Sequence, residues 1–356
     1  MSYSDRKQPC FALTTAGLET LSMQEMALLP GVSVTSVSYR CISATCCGSL
    51  APLLALRTVD DVFLEIARWT AIGRARRALE QLHALGTCLD LRAAACCCAG
   101  LRPISAPPSF SVTASFVGKR NYTSEEIKAA LATAIGRAHG WSYQPDDRAA
   151  DLNVRVFLDH EAATVGVRLG KTALHDRAYQ RVHLPGAIKP PVAAELVRLS
   201  RATPGMVVLD PCCGSGTILI EAALQGFAVC GGDSSPEAVA AAQTNSAAAV
   251  IDAPIRQWDA QALPLADGLI DAVICNLPWG RQVEIGGGSR SAFYQRVFAE
   301  MRRVLAPTGR IVLLTTTPEE IDAPDLCCVQ RLEISLFGQH PTILVFSHLD
   351  LKNSSP

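Results

Sequence analysis

Three carboxylates and one amide set out the chemistry this chain could perform. Asp210 ends the short apolar run MVVLD (206–210) and is followed by Pro211, Cys212, Cys213 and the tight turn Gly214-Ser215-Gly216-Thr217. A strand that delivers a carboxylate into a Gly-x-Gly turn before a helix lets a ligand approach the backbone and meet free N–H groups. Asp233 closes the next apolar run, FAVCGGD (227–233), where a carboxylate can take a ribose hydroxyl pair. Asp259 lies near the end of the third, APIRQWDA (253–260), placed to accept from an adenine amino group. Carboxylates at three successive strand ends point to an adenosine-bearing ligand. No Lys follows Gly216, so the turn is not a phosphate-binding P-loop. The fourth run, LIDAVICN (269–276), ends in Asn276-Leu277-Pro278-Trp279-Gly280. The Asn276 side-chain oxygen and the Leu277 carbonyl can both accept from a planar exocyclic amine and aim its lone pair. Trp279 can stack on the base that carries it. Alone, an Asn-x-Pro segment is an ordinary turn; the adenosine signature upstream turns the reading toward catalysis.

These residues need a sheet to bring them together. The second half alternates strands with helices: ILIEAALQ (218–225), a helix capped by Ser234 or Ser235 with Pro236 at its first position, and FYQRVFAEMRRVL (293–305). RIVLLTTT (310–317) is a fifth strand, and CCVQRLEISLF and TILVFSHL are two closing strands with no helix between them. That order predicts an open parallel sheet with right-handed crossovers and an antiparallel edge strand. The first half reads as α+β. PCFALTTAGLETLSMQEMALL gives a strand and a helix, and VSVTSVSYRCIS one further strand. DDVFLEIARWTAI fits either element, and residues 70–103 are mostly helical by pattern. FSVTASFVG (110–118), a helix from Ser124 to about Ala138, and a hairpin turning at His160-Glu161 complete it.

At 49% hydrophobic and 18% charged residues, the chain is too apolar for disorder. No apolar run reaches the roughly 18–20 residues of a membrane span, and the N-terminal residues carry charge without an apolar core. A cytoplasmic protein is expected. Fourteen cysteines in a long chain of this kind are expected to be reduced. They fall in adjacent groups (Cys46-Cys47, Cys96-Cys97-Cys98, Cys212-Cys213, Cys327-Cys328) with no Cys-x-x-Cys, so no zinc or other metal site is expected and most should be small buried hydrophobes. Residues 1–185 carry a net charge of +4 and residues 186–356 one of −5, so a polyanion is expected to dock on the first part.

The succession LDPCCGSGT, GGD, QWDAQALPL and DAVICNLPWG resembles the Rossmann-like class I S-adenosylmethionine-dependent methyltransferases. The last motif is similar to the (Asn/Asp)-Pro-Pro-(Tyr/Phe/Trp) signature of enzymes that methylate exocyclic base amines. RAYQRVHLPGAIKPPVAAELVRLS (177–200) and ADLNVRVFLDHEAATVGVRLG resemble the linker and the end of a THUMP domain in RNA methyltransferases, nearest the tRNA guanine-N2 enzymes acting at acceptor-stem position 6. The resemblance implies an α/β fold: a ferredoxin-like plus THUMP RNA-binding module at 1–185 and a Rossmann-like methyltransferase domain at 186–356. It implies S-adenosylmethionine as cofactor, with Asp210, Pro211, Cys212, Gly214, Ser215, Gly216 and Thr217 at its methionine end. Asp233 and Ser234 would serve its ribose, Asp259 and Ala260 its adenine, with Asn276 and a covering Pro190 beside it. Asn276, Leu277, Pro278 and Trp279 would be the catalytic tetrapeptide, acting on a base flipped out of its helix. Leu277 stands in place of the usual first Pro, and Asn276 where the guanine-N2 relatives often have Asp.

The product implied is N2-methylguanosine in tRNA, by direct displacement at the sulfonium methyl. A covalent Cys nucleophile, as pyrimidine C5 methylation needs, is not expected at Cys275, Cys212 or Cys213. Lys119, Arg120, Lys171, Arg177 and Arg181, interleaved with Tyr122 and Tyr179, are the expected RNA contacts, while Arg74, Arg76 and Arg77 read as a solvated helix face. A eukaryotic source would add a small activating subunit. The alternatives are a ribosomal or small nuclear RNA guanine as target, and a non-catalytic RNA-binding protein with a methyltransferase fold. A nicotinamide-dependent oxidoreductase is disfavoured because Leu219 replaces the third glycine of its turn.

Overall fold

The computed structural model describes residues 7–279 and 289–348; Gly280 lies outside the described residues. The chain forms two compact units. Among the described residues, one comprises 7–14 and 19–174, the other 15–18, 175–279 and 289–348.

The first unit is a seven-stranded sheet with helices. Strands β1 (Lys7–Leu13), β2 (Val32–Ser38), β3 (Cys41–Cys47), β4 (Asp61–Trp69), β5 (Phe110–Val117), β6 (Leu152–Asp159) and β7 (Ala162–Arg168) lie in the order β2-β3-β1-β4-β7-β6-β5. Its helices are α1 (Glu19–Ala27), α2 (Ala78–Gly86), α3 (Leu91–Ala99) and α4 (Ser124–His139). The segment 32–43, expected as one strand, instead spans both arms of a hairpin. It turns at Tyr39-Arg40, where Arg40 adopts φ +57° and Ser38 pairs with Cys41. The ambiguous DDVFLEIARWTAI is a strand, β4, buried between β1 and β7. Helix α4 begins in a capping box: Thr123 accepts from Glu126 N, and the Glu126 carboxylate accepts from Thr123 N.

The cysteines correct an expectation. Six are buried, but Cys47, Cys88, Cys96 and Cys328 are exposed. Neighbours along a strand point to opposite faces, so Cys46 enters the core while Cys47 leaves it. Adjacent cysteines therefore cannot all be core residues.

The second unit is the α/β sheet foreseen. Its strands are β8 (Val207–Asp210), β9 (Ala228–Asp233), β10 (Ile255–Gln257), β11 (Ile270–Asn276), β12 (Leu305–Thr315), β13 (Leu326–Glu333) and β14 (Thr342–His348), ordered β10-β9-β8-β11-β12-β14-β13. Helices α5 (Pro190–Leu199), α6 (Thr217–Ala223), α7 (Pro236–Ala248) and α8 (Arg290–Val304) complete it. Ser235 caps α7, accepting from Ala238 N, with Pro236 at the first position. The one antiparallel strand, β14, sits one place in from the edge, between β12 and β13.

Two glycines allow close approaches that a side chain would block. Gly216 caps α6 at φ +81°, and a Cβ there would come within 3.1 Å of the Ala242 methyl on α7. Gly232 in β9 is tighter: its Cβ would stand 2.2 Å from the Arg256 carbonyl oxygen and 2.6 Å from the Trp258 ring. Backbone cannot yield as a flexible side-chain end can. Gly232→Ala is therefore expected to destabilise the fold by about 2 kcal/mol or more, read as a lower midpoint in urea unfolding. An unchanged midpoint would show that β10 moves aside freely.

Candidate active site

Strands β8 to β11 run parallel, so their carboxyl ends share one edge of the sheet. From β8 the chain steps outward to β9 and β10, then returns to the other side of β8 for β11. Such a reversal leaves a crevice at the strand ends, because the connections on either side depart in opposite directions. A cavity of about 810 Å³ occupies this edge, within the range of small-molecule sites.

The cofactor-loop candidates gather there. Pro211, Cys212, Gly214, Ser215 and Thr217 line the cavity with Asp210; Gly216 does not, being turned against α7. Asp210 is fully buried and accepts from Cys212 N at 3.2 Å. Burial pushes its carboxyl up to about 8, and the nearby Asp233 charge pushes the same way. Asp233 accepts from Gly214 N at 2.9 Å and from Ser235 N at 3.0 Å, tying the turn to the end of β9. Each of its oxygens keeps a further lone pair for a hydroxyl. Ser234, Asp259 and Ala260 also line the cavity, and exposed Asp259 accepts from Gln261 N. Pro190 is buried as the first residue of α5 and does not line the cavity; the preceding segment Leu184–Ile188 does.

The tetrapeptide candidates follow directly from β11. Leu277 N donates to Leu314 O at 3.0 Å, extending the pairing with β12 past the strand end. Pro278 O accepts from the buried Tyr294 hydroxyl at 2.7 Å. Asn276 Nδ2 donates to Gly186 O at 3.3 Å. Its Oδ1 is buried without a hydrogen-bond partner, and so is Trp279 Nε1. Two unmatched polar atoms in cavity-lining residues are what a site built for a ligand leaves open. Cys275 is buried beneath the motif. A hydrogen bond with Cys212, then burial, hold its thiol well above the ordinary range, the opposite of an activated nucleophile.

Several residues here carried no sequence signal. Trp258 lines the cavity and donates from Nε1 to Pro211 O at 3.0 Å, pinning the start of the cofactor turn. Asn245, buried on α7, accepts from Arg181 N and Val182 N through Oδ1 and donates through Nδ2 to Val182 O and Ser215 O. One amide thus joins the segment before α5 to the cofactor turn.

The RNA candidates divide. Lys119 and Arg181 are exposed. Lys171 is exposed but donates to Ala150 O at 2.6 Å. Arg120 folds back, donating to Gly73 O and the Tyr122 hydroxyl and lying over the Phe116 and Tyr122 rings. Arg177 is paired with Glu221, itself fully buried, at 3.1 Å, and the Tyr179 hydroxyl donates to the same carboxylate. Tyr122 and Tyr179 are both buried, so neither presents a ring to a base. Burial and internal partners remove Arg177 and the two tyrosines from an accessible face. Arg74, Arg76 and Arg77 are exposed but precede α2 rather than lying along it, and Arg76 pairs with Glu126.

Residues 177–324 match the RMKL-like methyltransferase domain family, and residues 101–168 match the THUMP domain. The chain is 30% identical over 349 residues to the tRNA (guanine(6)-N2)-methyltransferase of Thermus thermophilus, covering 95% of this chain and 99% of that protein. The chain belongs to the THUMP-containing class I methyltransferases. The crystal structure of TrmN from Thermus thermophilus superposes on this methyltransferase with a TM-score of 0.76 at 27% identity, covering 96% of this chain and all of that one. The human U6 snRNA (guanine-N(2))-methyltransferase THUMPD2 is 30% identical over 202 residues, 56% of this chain and 38% of that protein. Membership makes S-adenosylmethionine the methyl source. The residues fit it: Gly214 at φ +52° leaves open space where a side chain would stand, and the Asp233 carboxylate faces the same cavity. Among the described residues, no single helix is long and apolar enough to cross a membrane.

Proposed function

We propose that this methyltransferase forms N2-methylguanosine in tRNA, at position 6 of the acceptor stem, acting in the cytoplasm where it meets that substrate. The observation that carries the reading is the buried, partnerless Asn276 Oδ1 at the end of β11, in the same cavity as Asp210 and Asp233. S-adenosylmethionine, when bound, supplies an electrophilic sulfonium methyl. Asp210 and the Gly214–Thr217 turn would hold its methionine end, Asp233 its ribose, and Asp259 with Ala260 its adenine. Asn276 Oδ1 and the Leu277 carbonyl accept the two hydrogens of the guanine amine, which turns the nitrogen lone pair out of the ring plane toward the methyl. Trp279 and Phe293 line the same cavity and offer aromatic faces to a flipped base. Rate enhancement comes from holding the nitrogen in line.

Residues 1–185 serve as the RNA-reading module in this proposal and 186–356 as the catalytic one. Lys119, Lys171 and Arg181 are the proposed phosphate contacts; Arg120 and Arg177 are left out because internal partners hold them. Transfer of labelled methyl to unmodified total tRNA, followed by nucleoside analysis, tests the reading. N2-methylguanosine at position 6 is expected. Label in U6-type small nuclear RNA but not in tRNA would replace the substrate, and no label in any RNA would overturn the reading.

A further inference from the structure

We propose that the backbone carbonyl of Gly186 is a positioning group that decides which end of the Asn276 amide meets the substrate amine. The inference rests on the amine methylation proposed above and names how that site is kept in its working orientation.

A side-chain amide has two nearly isosteric ends with opposite hydrogen-bonding character. Rotated by half a turn, Asn276 would present its NH₂ to the target amine. Donor would face donor, and nothing would direct the nitrogen lone pair. The strand end alone does not exclude that orientation. A peptide carbonyl excludes it, because it can only accept. Gly186 O takes Nδ2 at 3.3 Å, which leaves Oδ1 as the amide's unmatched atom.

The carbonyl is itself held. Gly186 adopts φ +78°, a backbone setting that glycine reaches freely. The segment carrying it is tethered on both sides. Upstream, Asn245 binds Arg181 N, Val182 N and Val182 O. Downstream, α5 begins at buried Pro190. Between these anchors Ala187 N donates to Leu184 O at 3.1 Å, closing a turn around Gly186. The second acceptor proposed for the substrate, the Leu277 carbonyl, is fixed by separate contacts, Leu277 N to Leu314 O and the Tyr294 hydroxyl to Pro278 O. The segment between the two anchors is thus a working wall of the catalytic site.

The test uses the full chain with S-adenosylmethionine and tRNA. Gly186→Val cannot comfortably hold a positive φ, because a β-branched side chain crowds the backbone there, and its carbonyl must turn. Gly186→Asn tolerates that setting and serves as the conservative variant. For Gly186→Val, kcat is expected to fall about tenfold to a hundredfold, as a displaced catalytic contact does. The KM for tRNA and the Kd for the cofactor, read by calorimetry, should stay within about threefold, and Gly186→Asn should recover most of the loss. A carboxylate accepts but does not donate, so in an Asn276→Asp background the valine should cost less than about threefold more. Retained kcat in a Gly186→Val protein that binds cofactor normally would overturn the proposal. An equal loss in the Asp background would do so too. If the unaltered enzyme forms no N2-methylguanosine, the parent reading fails instead, and the two failures are distinct.

Discussion

Asn276→Ala is expected to lower turnover on tRNA at least about a hundredfold while cofactor binding stays within about threefold of the unaltered enzyme. The size follows from removing one preorganised hydrogen-bond partner at a reacting centre, which costs roughly 3–4 kcal/mol in comparable sites. The selectivity follows from the geometry. Asn276 bonds to Gly186 and to no residue of the cofactor turn, whereas that turn is held by Asp233, Trp258 and Asn245. Single-turnover kinetics with saturating enzyme would isolate the chemical step. Activity within a few-fold of the unaltered enzyme would remove Asn276 from the mechanism.

Asp210→Asn is expected to stabilise the cofactor-free protein at alkaline pH and to weaken cofactor binding. The Asp210 carboxyl has its folded-state pKa raised from 3.8 to about 8 by burial. The folded chain therefore keeps a proton that the unfolded chain has already lost. That contribution is complete below pH 3.8 and disappears as pH rises through about 8, at a cost on the order of a few kcal/mol. Asparagine has no proton to lose, so the Tm difference in favour of the variant should widen between pH 5 and pH 8 and then level off. The cofactor's cationic amino group and sulfonium favour the ionised carboxylate. Affinity in the unaltered enzyme should rise over the same interval, while the variant stays flat and binds about tenfold more weakly. Parallel Tm curves for the two proteins would refute burial of an ionisable Asp210.

The placement of Asp210, Asp233, Asp259 and Asn276 was legible because chain order alone carries it. Parallel strands joined by helices put every strand's last residue on one edge, whatever the packing details. Gly186, Asn245 and Tyr294 were not legible. Gly186 and Asn276 are ninety residues apart, and Asn245 reaches back more than sixty to Arg181. No local periodicity marks such a partner. Arg177 failed in the other direction. Its charge in a basic, aromatic stretch reads as a surface contact until the tertiary fold supplies Glu221. The hairpin of β2 and β3 leaves no turn signal in the sequence, because its turn uses Tyr39-Arg40 rather than glycine or proline. Composition is blind to which face a strand residue takes, so it does not separate buried Cys46 from exposed Cys47.

The position of β14 bears on how the chain is made. It is synthesised after every other strand of its sheet, yet it lies between β12 and β13. A nascent chain that has emerged only as far as β13 holds the β12 edge without its native partner. Ile311, Val312, Leu313 and Leu314, all fully buried in the finished sheet, lie along that edge. An open apolar strand edge invites pairing with other chains. The cofactor end of the sheet can assemble early on the ribosome, but the sheet as a whole closes only when residues 342–348 slide into the gap. Slow translation ahead of that segment prolongs the period in which this edge stands open.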